Sequence, residues 1–141
     1  MTARLPALVG LLLALVGAFP MPALAEGRDF VEQQQRWGAI AAALWRDRNG
    51  TARVAAGASW NQPSENDAIN AALYNCRNQG GQDCKIIGNT FTGCGYVATG
   101  NTAASVRYGT GESPEAALSQ CRQGGFQCVP SSTNPIGGCS N

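Results

Sequence analysis

Apolar residues fall into two regimes along this chain. From Leu5 to Phe19 they run almost without a break, interrupted only by Pro6 and two glycines, whereas after Trp37 they come in short segments divided by glycines and polar turns. The first regime reads as a leader. Arg4 precedes the run, Pro20 and Pro22 end it, and Ala23-Leu24-Ala25 supplies a small-x-small cleavage site, which together is the order of a secretory signal peptide. The run falls short of the ~20 residues a membrane-spanning helix needs. Cleavage is expected after Ala25, leaving residues 26–36 as a polar lead-in. No cysteine stands at the cleavage region, so a lipid anchor is not expected and the mature chain makes no stable membrane insertion.

In the second regime two segments carry helical spacing. Ala68, Ile69, Ala72, Leu73 and Cys76 fall on one face, and Ala117, Leu118 and Cys121 repeat its end. Ser64 ahead of Glu65-Asn66-Asp67, and Ser113 ahead of Pro114-Glu115, are natural N-caps. Gly80-Gly81 and Gly124-Gly125 end the two helices. Strands are predicted at 53–59 and 105–110 before the helices, and at 84–91 and 127–129 after them. Asn49-Gly50 between apolar segments signals a hairpin. Phe30, Val31, Gln34, Trp37, Ile40, Ala41, Leu44 and Trp45 also fit a helical stripe. The later segment Cys94 to Thr99, with β-prone Tyr96 and Val97, instead argues that 37–44 is a strand.

The segments recur in order. Ala71-Ala72-Leu73-Tyr74-Asn75-Cys76-Arg77 matches Ala116-Ala117-Leu118-Ser119-Gln120-Cys121-Arg122, a cysteine follows each diglycine at Cys84 and Cys128, and a third stands at Cys94 and Cys139. Upstream, Trp37-Gly38-Ala39-Ile40-Ala41 is echoed by Cys94-Gly95-Tyr96-Val97-Ala98. An ordered set of matches of this kind is the mark of a duplicated unit. The expected fold is therefore α+β, a single small disulfide-stapled domain over 37–141 built from two pseudo-repeated β-β-α-β units at about 37–93 and 94–139.

The Trp37-Gly38-Ala39-Ile40-Ala41 opening, the Ala-Leu-x-x-Cys helices and the Gly93-Cys94-Gly95 step resemble a family of small secreted bacterial domains, the domain of unknown function numbered 4189. The resemblance covers Trp37 to Cys139. It implies an exported protein and brings no catalytic residues with it. This chain departs from a clean duplication in placing Cys94 where the first unit has Trp37.

Charge and cysteine content narrow the chemistry. Without Arg4 the chain holds nine basic and nine acidic residues, so it lacks the basic footprint of a nucleic-acid binder. All six cysteines lie beyond residue 75, and an even number in an exported chain reads as disulfides. Histidine is absent and no Cys-x-x-Cys occurs, so neither a metal nor a cofactor is expected. Six cysteines allow fifteen pairings. The repeat selects Cys76–Cys84 and Cys121–Cys128, each joining a helix end to the strand beyond its diglycine turn. That leaves Cys94–Cys139, expected to tie the two halves together.

Candidate catalytic groups are few. Lys85 is the one lysine and sits beside Cys84, a pairing that disulfide formation makes structural. A hydrolase without histidine would need paired carboxylates, and Asp67, Asp83, Glu112 and Glu115 are the candidates; Asp67 and Glu115 are better explained as first-turn charges facing a helix dipole. Gly109-Thr110-Gly111 lacks the further glycines and lysine of a phosphate loop and reads as a strand-to-helix turn. The expectation is thus a periplasmic or extracellular, non-catalytic interaction module, such as an envelope immunity-type protein or a secreted effector acting on a protein or cell-surface partner. A carboxylate-based hydrolase is the alternative. Tryptophan and arginine dominate binding hot spots, which directs attention to Trp45, Arg46, Arg48 and Arg53 around the first hairpin and to Trp60 beyond it.

Overall fold

The structure, a computed structural model, describes residues 34–141. The leader and cleavage site read at 1–25, and the lead-in up to residue 33, lie outside the described residues; Gln34 to Arg36 are irregular. Eight elements follow: strands β1 (Trp37–Arg46) and β2 (Ala52–Gln62), helix α1 (Glu65–Asn78), strands β3 (Lys85–Ile86), β4 (Cys94–Asn101) and β5 (Val106–Gly111), helix α2 (Pro114–Arg122) and strand β6 (Ile136–Cys139). The fold is α+β, with two antiparallel three-stranded sheets in the orders β2-β1-β3 and β5-β4-β6.

Burial shows how these pieces stack. On β1, Ala39, Ala41 and Ala43 face Ala68, Ala72 and Cys76 of α1, while Ile40 and Ala42 face Val97 of the second sheet. On the far side of that sheet, Ala98 packs on Ala117, Leu118 and Cys121 of α2. The layers therefore run helix, sheet, sheet, helix. A strand covered on both faces shows no apolar–polar alternation, which is why 37–44 carries a stripe that also suits a helix. It is a strand, as its second copy argues.

Local chemistry sets the helices. The Asp67 N–H donates to Ser64 Oγ at 3.1 Å and the Ala116 N–H to Ser113 Oγ at 3.1 Å, so both serines cap as their sequence context predicts. The last turn of α1 closes through the left-handed Gly80, with the Gly81 N–H reaching the Cys76 carbonyl at 3.1 Å.

The duplication extends to backbone contact. Gly57 of β2 lies against the backbone of Ala72 and Cys76, and Gly109 of β5 lies in the same way against Ala117 and Cys121. One residue on, the amide preceding each helix cysteine reaches the strand: Asn75 Nδ2 donates to the Ala58 carbonyl at 2.8 Å, and Gln120 Oε1 accepts from the Thr110 N–H. The two sheets are locked by Phe91, whose ring fills the space left by Gly38 on one side and Gly95 on the other. The repeated aromatic-or-cysteine-then-glycine step thus serves sheet-to-sheet packing.

Three expectations need correction. The strand expected at 127–129 is a single bridge between Gln127 and Asn101, and the pairing strand is β6 instead. Pro130 has no N–H to give, and residues 131–134 form a turn. The Asn134 side chain fills the gap, accepting from the Thr99 N–H and donating to the Thr99 carbonyl, both at 2.9 Å. The strand expected at 84–91 is reduced to β3 plus a bridge at Phe91, interrupted at Gly88, whose φ is +66. Finally, the bridges are Cys76–Cys84, Cys121–Cys128 and Cys94–Cys139, but the last does not join the halves. Cys94 and Cys139 are direct partners on β4 and β6, so this bridge closes the second sheet on itself.

Candidate functional site

The first hairpin is organised by Asp47. Its Oδ1 accepts from the N–H groups of Asn49 and Thr51, each at 2.9 Å, and its Oδ2 pairs with Arg53 at 2.9 Å. The Thr51 N–H, helped by Arg53 and the Asn49 N–H, holds the carboxyl below its ordinary value of 3.8 against the opposing cost of desolvation. A depressed carboxylate stabilises the fold above its unfolded value, and that contribution is lost as pH falls through the lowered one. Asp47→Asn at pH 7 should therefore mimic the acid form: amide exchange at Asn49 and Thr51 should quicken while that of Ala41 and Ala55 stays unchanged by NMR. Equal acceleration throughout would contradict this local role.

That hairpin divides the residues read as candidates for partner contact. Trp45 and Arg53 are opposite one another on the α1 face, where Trp45 packs against the core. Arg46 is opposite Ala52 on the other face, donates to the Gly50 carbonyl at 2.8 Å, and lines a groove of about 470 Å³ with Asn101, Thr102 and Ser105 at the second hairpin. Arg48 is exposed at the tip. The arginines share one end of the molecule but not one surface. Trp60 is elsewhere: seven residues along β2 from Arg53, or roughly 23 Å at the usual rise, and on the face turned to the second sheet.

There Trp60 forms a site of its own. A Cβ on Gly138 of β6 would lie 2.6–2.8 Å from three ring atoms, so the glycine lies flat against one side of the indole, which remains 39% exposed. Two adjoining clefts, of about 270 and 250 Å³, share Trp60, Gln79 and Ile136. The first runs between β2 and the end of α1 at Asn75 and Asn78; the second is walled by Ser132, Thr133 and Pro135. The C-terminus braces this corner: the Asn61 N–H donates to Ser140 Oγ at 3.1 Å, and the Asn141 N–H to Asn61 Oδ1 at 3.1 Å. Sequence reasoning singled out Trp60 but missed its companions, which come from three separate segments.

The carboxylates considered for hydrolysis are all exposed. Asp67 accepts from Ser64 Oγ at 2.6 Å in the first turn of α1, and Glu115 occupies the first turn of α2, with both sheets between those helices. Asp83 lies in the loop before β3 and Glu112 just before the Ser113 cap. Among the described residues there is no group of three or more histidine, cysteine, aspartate or glutamate side chains placed to hold a metal. Among those same residues no helix is long and apolar enough to cross a membrane.

The profile of the family described as Domain of unknown function (DUF4189) matches residues 37–133. The chain belongs to that family. The match takes in both hairpins, both helices and the Trp60 clefts as far as Thr133, while Pro135, Ile136, Gly137 and Gly138 at the same clefts lie beyond it. No curated protein and no solved structure matches this DUF4189 chain.

Proposed function

We propose that this protein is an exported, non-catalytic recognition module, and that its contact surface is the Trp60 cleft. The leader-like order of residues 1–25 and the three disulfides, which oxidising compartments favour, support export. The observation that carries the reading is a tryptophan backed on one side by Gly138 and left 39% exposed beside two clefts. A large amphipathic ring held rigid in this way loses little entropy on binding, and tryptophan is among the residue types enriched at binding hot spots. Binding without chemistry suits an envelope immunity-type protein or a secreted effector.

The test is capture from an envelope fraction with mature protein, run beside Trp60→Ala and the double variant Arg46→Ala with Arg48→Ala. Trp60→Ala should weaken retention of any specific partner by more than about tenfold, the loss of ~1.4 kcal/mol or more expected at a hot spot. The arginine pair should leave retention unchanged. The opposite pattern would move the surface to the hairpin end.

A further inference from the structure

We infer that the Trp60 cleft takes a neutral saccharide, one or two sugar rings long. This rests on the reading of the cleft as the recognition surface and adds the class of ligand. Three observations carry it. First, no charged side chain among the described residues lines either lobe; the polar groups are the amides of Asn75, Asn78 and Gln79 and the hydroxyls of Ser132 and Thr133. Phosphates and acidic glycans call for arginine or lysine, whereas amides and hydroxyls both donate and accept, as a ring of sugar hydroxyls does. Second, Trp60 is 39% exposed and borders both lobes, with Gly138 against one side of its indole. Its electron-rich surface attracts the polarised C–H groups on the flat side of a pyranose, as it attracts other positive edges. Third, the lobes, at about 270 and 250 Å³, are small beside the usual ligand pocket, and each is of a size to take a single ring.

The competing occupant is an extended peptide added to the free edge of β2. Ile40 gives its carbonyl to the Ile87 N–H on the β3 side, so Ala58, opposite Ile40, points its polar groups to that free edge. Two of the carbonyls an added strand would use beside the cleft are already taken, that of Ala58 by Asn75 at 2.8 Å and that of Trp60 by Gln62 at 3.1 Å. An edge covered in this way is a poor template for strand addition.

The experiment follows the indole N–H signals of mature protein by NMR during titration with N,N′-diacetylchitobiose, cellobiose and maltose, and separately with a blocked tetra-alanine peptide. At least one disaccharide should give a saturable shift at Trp60 with little at Trp37 or Trp45. Trp60→Ala should abolish the saturable response elsewhere in the cleft. Gln79 caps α1 through its backbone N–H, so Gln79→Ala leaves the helix intact and should weaken binding several-fold. No saturable shift with any of the three disaccharides, at concentrations about tenfold above a millimolar Kd, overturns the inference. Saturation by the peptide alone overturns the ligand class and leaves the cleft as the surface. Silence from all four probes, with a captured partner that ignores Trp60→Ala, overturns both.

Discussion

Gly57→Ala is expected to lower stability by about 3 kcal/mol or more, and Gly109→Ala to do the same. At each position the added methyl would lie inside van der Waals contact of backbone: Cys76 N and the Ala72 carbonyl in one case, Cys121 N and the Ala117 carbonyl in the other. Neither helix can retreat easily, because Cys76 is bridged to Cys84 and Cys121 to Cys128 just beyond. Overpacking against backbone held on both sides falls at the severe end of small-to-large changes. Urea unfolding reads the loss as a lower midpoint at unchanged slope. Gly93→Ala is the control, since a methyl there meets nothing within 4 Å, and it should be neutral or mildly stabilising. A mild effect at Gly57 with a severe one at Gly109 would mean that the two units pack their helices differently.

Replacing both Cys94 and Cys139 by alanine is expected to cost about 4 kcal/mol, against about 2.5 for the Cys121–Cys128 pair before any packing loss. Loop-closure entropy sets the order, because the first bridge spans 45 residues of chain and the second 7. Alanine is preferable to serine, because Cys121 is fully buried and a hydroxyl there would need a partner. The Cys94–Cys139 variant should also release β6 and the turn at 131–134, which walls one lobe of the Trp60 cleft. Limited proteolysis should then cut between residues 129 and 137, where the parent resists. An uncut turn would contradict the role given to this bridge.

Elements built from local chemistry were legible in the sequence. Ser64, Ser113 and Gly80 announce the helix ends because capping depends on the nearest few residues. The duplication selected the three cysteine pairs among fifteen possibilities because it aligned helix ends with the strands that follow. Pairing between distant strands was not legible. The Cys94–Cys139 pairing brings that end of the chain to β4, but nothing near Ile136 says that it pairs there as a strand, or that the Asn134 side chain stands in for a strand residue at Thr99. That missing strand also explains why Cys94–Cys139 read as a tie between halves. The site follows the same rule. Trp60 is conspicuous by type, but Asn78, Gln79 and Thr133 gain meaning only when α1 and the turn before β6 converge on it. The arginines near Asn49-Gly50 stand out more in the sequence, yet Arg53 is held by Asp47 and Arg46 by the Gly50 carbonyl.

The central claim is that recognition happens at the Trp60 cleft, and amide hydrogen exchange of the protein with and without a captured partner tests it most directly. Slowed exchange should map to residues 56–60, 75–79 and 132–137, the three segments that line the cleft. Protection confined to residues 46–53 and 101–106, at the hairpin tips, would contradict it.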